Sequence, residues 1–238
     1  AAARGEDYLR TDTALAWAGQ AGTPGQRRRH FQQVVHLARY LHAEDARHEI
    51  PPAGHFPGQR HRPVPYIYTP DDARRLIEVA TRLGPAGSMR PRTMSTVLAL
   101  LFATGLRISE ALALCTADVT PDGLVIRKTK FGKTRLVPLH PSAQNGLEQY
   151  LHCRRALAGG DDDLLVSLHG TRFSYGGFRK AWLVVLGQAG LSPRSGGRRP
   201  RLHDIRHTFA TRALESAPDQ RDRIARHMLA VSTYLGHS

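Results

Sequence analysis

Residues 202–212 read LHDIRHTFATR and bring two histidines and an arginine together at the start of an apolar run. If this stretch is a helix, His203, Arg206 and His207 share one side of it, because side chains three or four residues apart are neighbours on a helix surface. An arginine among imidazoles repels a metal cation, whereas its planar fork of N–H donors suits the oxygens of a phosphate. The stretch therefore predicts a helix that carries an anion site.

Two other interpretations of this stretch have to be weighed. The spacing His203-x-x-x-His207 with an acid after the first histidine imitates a zinc-protease helix, in which two histidines bind the metal and a glutamate is the base. Here the acid is Asp204, one methylene shorter, and Arg206 stands on the would-be metal face. We therefore expect no metal and no other cofactor. A helix with two buried, hydrogen-bonded histidines is the second interpretation, and the rest of the chain disfavours it.

The charge of the chain favours a polyanionic partner. Among 238 residues, 34 are Lys or Arg and 20 are Asp or Glu, for a formal net charge of +14 and a pI near 10.8. Such an excess fits nucleic acid first and a membrane surface second. Residues 1–63 hold 9 basic and 6 acidic groups, whereas residues 64–238 hold 25 and 14, so most of the excess lies in the second part.

Cysteine usage and hydropathy favour a cytoplasmic protein. Cys115 and Cys153 each stand in an apolar context, which is typical of reduced thiols inside a cell. The longest apolar run, from Met94 to Leu106, is too short and too hydroxylated to span a bilayer. No charged and then apolar leader opens the sequence. We expect a cytoplasmic, nucleoid-associated protein with no membrane partner.

A proline-rich stretch predicts a domain boundary. Residues 51–65 contain five prolines and two glycines, a composition typical of a linker. Residues 1–50 predict a short helix, broken at Pro24-Gly25, and a stronger helix from Arg27 to Leu41. For residues 66–238, the predicted helices start at Pro70, Met94, Tyr150, Tyr175 and Ile224, besides the one at 202–212.

A β-hairpin is predicted within residues 66–238. Its arms are the β-branched runs 123–128 and 134–139, and residues 164–168 are a candidate third strand. The expected fold is therefore mainly α with a small antiparallel β-sheet. Three of only four lysines in an arginine-rich chain, Lys128, Lys130 and Lys133, surround the hairpin turn. Lysine can give away a proton and arginine cannot, so a proton donor is expected there.

Arg107 is a further candidate site residue. Residues 104–110 read TGLRISE, in which Gly105 permits a tight turn between helices and Arg107 opens the second helix. An arginine in such an apolar setting must be paired or hold a ligand. A salt bridge to Glu110, one turn on, explains it as well as a ligand does.

Four separated pieces resemble the tyrosine recombinase (phage integrase) family. They are TGLRISE at 104–110, TKFGKTRLVPL at 129–139, LHDIRHTFAT at 202–211 and LGHS at 235–238. One such box is weak evidence, but four in the family's order are specific. The resemblance covers residues 66–238, and residues 4–50 look like the family's helical core-binding domain. It implies a two-domain clamp around DNA.

The resemblance implies a site-specific recombinase that cuts and rejoins double-stranded DNA through a 3′-phosphotyrosine intermediate, as a homotetramer. Arg107 and Arg206 would then hold the phosphate oxygens, and Lys130 would be the general acid for the leaving 5′ oxygen. His203 would exchange a proton with the tyrosine, and His237 would donate a hydrogen bond to the phosphate. The residues assigned to DNA contacts are Lys128, Lys133, Arg135, Arg198, Arg199 and Arg201.

The nucleophile is where the sequence departs from the family pattern. The family's tyrosine follows shortly after the LGHS box, and we expect it to lie beyond Ser238, so that this chain alone is inactive. Tyr234 stands directly before this box, three residues ahead of His237, and is interpreted as a packing residue. Two alternatives remain: a truncated, non-catalytic protein that competes for recombination sites, and a type IB topoisomerase with the same chemistry.

Overall fold

The computed structural model describes residues 7–56, 64–127, 134–157, 162–193, 199–216 and 221–236. Its contacts divide the chain into two compact units, Ala1–Arg62 and Pro63–Ser238. The boundary between the units falls within the proline-rich stretch. None of the helices among the described residues has the length and apolar character needed to cross a membrane.

The first unit contains two helices, α1 (Thr11–Gly19) and α2 (Pro24–Glu44), which pack together. The two predicted helices are separate, but α1 already ends at Gly19 and Pro24 is the first residue of α2, which therefore begins before the predicted Arg27. Thr23 caps the helix by accepting a hydrogen bond from the Gln26 N–H at 3.2 Å. Proline suits the first turn, since the N–H that it lacks would have no partner there. Phe31 of α2 is buried.

The second unit is mainly helical. Its helices are α3 (Pro70–Thr81), α4 (Met89–Thr104), α5 (Ile108–Leu112), α6 (Pro141–Leu157), α7 (Tyr175–Gln188), α8 (Leu202–Glu215) and α9 (Arg221–Leu235). Helix α4 is the centre of the unit, because it packs against α3, α6 and α8 and buries eight of its residues. The predicted helices exist, and α4, α6 and α9 each begin before the predicted residue.

A three-stranded antiparallel sheet completes the second unit. It consists of β1 (Val119–Thr120), β2 (Gly123–Ile126) and β3 (Arg135–Val137), in that spatial order. The mainly α fold with a small antiparallel sheet is therefore confirmed. The candidate strand at residues 164–168 is not one: only its first three residues are buried, and it forms an isolated bridge from Val166 to Arg172. The third strand is β1. A short buried apolar run fits a strand and other buried segments equally, so periodicity alone misassigns it.

Three hydrogen bonds anchor α8 to the segment before α3. The Tyr68 N–H donates to Thr208 Oγ1 at 3.0 Å, and the Tyr68 hydroxyl donates to the Arg201 carbonyl at 3.0 Å. Arg212 Nη2 donates a hydrogen bond to the Tyr68 carbonyl at 2.8 Å. Because Tyr68 is fully buried, these bonds hold α8 in a dry environment.

Candidate active site

Arg206 lies at the centre of the site and is buried, with 5% exposure. Its Nη1 donates to the Gly105 carbonyl at 2.8 Å, and its Nη2 donates to the Leu235 carbonyl. The ends of α4 and α9 are thus joined to α8 through one guanidinium. Burial first, and then the charge of Arg107, lower the pKa of Arg206 to about 10, so it stays protonated at neutral pH.

Gly105 allows this approach because it adopts a left-handed conformation (φ 62°) that ends α4. A Cβ at this position would lie 2.5 Å from Phe209 Cδ1, closer than carbon atoms pack. The glycine predicted to form a tight turn therefore also admits the Phe209 ring of α8. Both the turn and the close packing of α8 need the absence of a side chain.

Arg107 is the N-cap residue of α5. It forms the salt bridge to Glu110 that was one of its two explanations from the sequence. Its backbone N–H donates to Glu110 Oε2 at 3.0 Å, and its Nη1 donates to Oε1 at 2.8 Å. The Arg107 side chain is nevertheless 26% exposed. Among the described residues, Nη1 is the only one of its guanidinium nitrogens with a hydrogen bond. The salt bridge is therefore compatible with a ligand on the remaining donors.

Arg135, at the start of β3, shares the Glu110 carboxylate. Its Nη1 donates to Oε1 at 3.2 Å and its Nη2 to Oε2 at 2.8 Å. Burial raises the pKa of Glu110, but the hydrogen bonds from Arg135 and Arg107 outweigh it and hold this pKa below its usual value. Glu110 is therefore a carboxylate at neutral pH. Arg135, which the resemblance assigns to DNA contacts, lies against a protein carboxylate.

His203 and His207 occupy the same face of α8, as predicted, with ring centroids 4.9 Å apart at 90°. His203 is exposed and His207 is half-buried. Desolvation by its surroundings, followed by the charges of His207 and Arg206, lowers the pKa of His203. At neutral pH the imidazole of His203 is therefore unprotonated and can accept a proton.

Asp204 does not play the part that a zinc-protease helix needs. It is buried and caps α8, accepting from the Arg201 N–H at 3.0 Å and from Arg201 Nη2 at 2.8 Å. Within the described residues, no group of three or more His, Cys, Asp or Glu side chains comes together in a way that would hold a metal. Asp204 is thus a structural partner of Arg201.

The remaining candidates either lie near the start of α8 or fall outside the described residues. Arg199 and Arg201 are exposed near the start of α8, where an approaching polyanion can reach them. Gly236 follows α9 with φ 68°, and a Cβ there would lie 3.2 Å from Arg135 Nη1 and 3.9 Å from Arg107 Nη1. Gly236, the second residue of the LGHS box, therefore lies next to the guanidiniums of Arg135 and Arg107. The candidates outside the described residues are Lys128, Lys130, Lys133, Arg198 and His237.

A mainly helical protein with an arginine-lined site of this kind can bind a phosphate group. The chain belongs to the phage integrase family, whose sequence profile it matches over residues 67–238.

Individual relatives agree with this assignment. The chain is 37% identical to the integrase/recombinase y4rB of Sinorhizobium fredii over an alignment of 240 positions, which covers 97% of this chain and 76% of that protein. It is 26% identical to the tyrosine recombinase XerD of Brucella abortus over 93% of this chain and 71% of the relative. The fold is similar to that of a lambda integrase (75–356) dimer bound to a COC′ core site. That match has a TM-score of 0.69 and 18% identity, and it covers 98% of this chain and 80% of the other.

Proposed function

We propose that this protein is a site-specific DNA recombinase that cuts and rejoins DNA through a 3′-phosphotyrosine link, with Arg107 and Arg206 binding the scissile phosphate. The observation that carries the proposal is the charge of the site. The guanidiniums of Arg107 and Arg135 hydrogen-bond to the carboxylate of Glu110, and the buried guanidinium of Arg206 lies close enough for the charges of all three to influence its pKa. The cluster therefore keeps an excess of positive charge, which a phosphodiester can neutralise.

The chemistry follows from these charges. The tyrosine oxygen attacks the phosphorus, a phosphotyrosine bond forms, and the bond to the 5′ oxygen breaks. The phosphoryl oxygens gain negative charge in the transition state, and guanidiniums fixed by protein contacts stabilise that charge without rearranging. Because the phosphotyrosine keeps the bond energy, rejoining needs no nucleotide cofactor.

Proton transfer accompanies the attack and the departure. We assign His203 to accept the proton of the tyrosine, since its lowered pKa leaves it unprotonated at neutral pH. Lys130 is assigned to protonate the leaving 5′ oxygen, and His237 to donate a hydrogen bond to the phosphate. These two assignments rest on the family boxes in which the residues stand. We further propose that the protein acts as a homotetramer on DNA in the bacterial cytoplasm.

None of the seven tyrosines in the chain is assigned as the nucleophile. Burial has the larger effect on the pKa of Tyr234 and raises it, while the charges of Arg135 and Arg206 act in the opposite direction. The Tyr234 ring is half-buried and stacks on Phe209, with centroids 5.6 Å apart and planes at 21°. The raised pKa of Tyr234 disfavours the tyrosinate needed for attack. We propose that it packs α9 against α8, and that the 238-residue chain binds DNA without a covalent link.

The Tyr234→Phe substitution tests this assignment. Covalent capture of DNA by the full-length natural protein is expected to stay near the wild-type rate, because phenylalanine keeps the stack on Phe209. Capture is measured on denaturing gels with nicked duplexes, whose short cleaved fragment diffuses away and prevents rejoining. Loss of all capture in Tyr234→Phe, or a covalent adduct formed by the 238-residue chain through Tyr234, would overturn the packing role.

DNA binding is expected to weaken steeply with salt. Residues 64–238 carry a net +11 from 25 basic and 14 acidic groups. Each neutralised phosphate releases condensed counterions, so the logarithm of the binding constant falls linearly with the logarithm of the salt concentration. Fluorescence anisotropy titrations at several salt concentrations measure the slope. Arg199→Ala, at an exposed DNA-contact candidate, should reduce it by about 1. Salt-independent binding would contradict an electrostatic DNA interface.

A further inference from the structure

Arg135 lies on the inward face of the sheet. In the register of β2 and β3, Arg135 pairs with Ile126, and Val137 pairs with Leu124. Side chains two residues apart on a strand point to the same face, so Arg135 shares the face of the fully buried Val137, whereas Leu136 is 50% exposed. The Arg135 side chain is only 15% exposed. A charge in this position requires a partner.

The partner is the Glu110 carboxylate, and the arrangement around it is complete. Oε1 accepts from Arg107 Nη1 (2.8 Å) and Arg135 Nη1 (3.2 Å), while Oε2 accepts from the Arg107 N–H (3.0 Å) and Arg135 Nη2 (2.8 Å). A carboxylate offers about four acceptor positions. Glu110 is thus saturated by two arginines, and its side chain is 8% exposed.

Little of the Arg135 guanidinium is left for DNA. Both terminal nitrogens donate to Glu110, and Nε is buried without a hydrogen-bond partner among the described residues. The chain end of α9 encloses the group as well, since a Cβ on Gly236 would lie 3.2 Å from Arg135 Nη1. An arginine that contacts the DNA backbone has to present its donors to solvent instead.

We propose that Arg135 is a positioning residue, which holds Glu110 and through it the phosphate-binding guanidinium of Arg107. This inference rests on the proposed function of Arg107. The bridge also ties two parts of the site together, because Arg135 stands five residues after Lys130 in sequence while Glu110 belongs to α5. Anchoring Arg135 at Glu110 fixes the start of β3 relative to α5.

The test uses the full-length natural protein and nicked duplexes from a randomised pool, enriched for covalent capture by the wild type. At saturating DNA, Arg135→Ala is expected to slow capture about 100-fold, the size of effect that a shift of about 1 Å in a catalytic group produces. Affinity and its salt slope should fall less than in Arg199→Ala, because the Arg135 guanidinium donates to Glu110 and does not itself contact DNA. Arg135→Lys should recover only part of the rate, since an ammonium cannot make the bidentate contact.

A double substitution separates positioning from general destabilisation. If Arg135 acts through Arg107, the Arg107→Ala/Arg135→Ala protein is as slow as Arg107→Ala alone. Arg74→Ala is the matched control, since Arg74 pairs with a carboxylate, Asp71, at 2.7 Å on an exposed surface. This variant should capture DNA like the wild type. All rates are compared below the melting temperature of each variant.

The outcomes that overturn the inference differ from those that overturn the proposed function. A wild-type rate for Arg135→Ala with a reduced salt slope would make it a DNA contact, and multiplicative losses in the double variant would show an independent role. In either case a slow Arg107→Ala protein leaves the proposed function intact. A wild-type protein that captures no member of the pool, or an Arg107→Ala protein as fast as the wild type, contradicts the proposed function itself.

Discussion

Replacing Arg206 with alanine in the full-length protein is expected to slow covalent capture of DNA by about 10³-fold or more. The carbonyls of Gly105 and Leu235 already hold the guanidinium in place, so binding of the scissile phosphate should cost little conformational entropy of this side chain. Its loss removes charge stabilisation that grows as the transition state forms, and the rate falls more than the affinity. Single-turnover capture at saturating DNA measures the effect.

Destabilisation is a second consequence of Arg206→Ala, because two backbone carbonyls lose their buried donor. Arg107→Ala serves as the comparison, since that side chain is 26% exposed and loses one side-chain hydrogen bond, to Glu110. Thermal unfolding of both variants, with Arg74→Ala as the neutral reference, separates stability from rate. If folded Arg206→Ala protein captures DNA within about tenfold of the wild type, the transition-state role is wrong.

Lys130→Ala is the second substitution with a large expected effect. A positioned general acid contributes about 10²–10⁴-fold, so capture of ordinary DNA should slow by that order. A substrate whose 5′ leaving group is sulfur should recover most of the rate. A thiolate leaves without a proton, because thiols have pKa values of about 8.5, far below those of alcohols. The ratio of rates on the sulfur and oxygen substrates is the quantity to measure.

Lys133→Ala is the matched control for this experiment. It removes the same charge three residues away, so it lowers DNA affinity, most strongly at low salt, without changing the sulfur-to-oxygen ratio. Recovery that follows Lys133 instead of Lys130 would mean that the two lysines have exchanged roles. Equal loss on both substrates in Lys130→Ala would show that this lysine only neutralises phosphate charge.

Much of the fold was predictable because helix signals are local. The Thr69 and Pro70 start of α3 needs only the adjacent residues, and its capping is observed. Pro24 was misjudged, since proline both ends helices and begins them, and the residue before it decides which. The strand β1 is two residues long, too short for any alternation to show.

The candidate site was predictable where two of its residues share a helix, and less so where distant segments meet. His203 and Arg206 follow from helical spacing. The meeting of Glu110 with Arg135, 25 residues apart in sequence, depends on how the sheet packs against α5. One signal was present: β3 reads RLV with valine inward, which puts the arginine inward too. Lys130 and His237 remain predictions, because they lie outside the described residues.

The anchoring of Tyr68 to α8 sets a limit for protein engineering. A chimeric recombinase could be built by replacing the residues before the second unit with a different protein module. Because the N–H, carbonyl and hydroxyl of Tyr68 all bond to the segment 201–212, this residue belongs to the active-site scaffold despite its closeness to the linker. Fusions should therefore join upstream of Tyr66, whose ring packs edge-on against Tyr68.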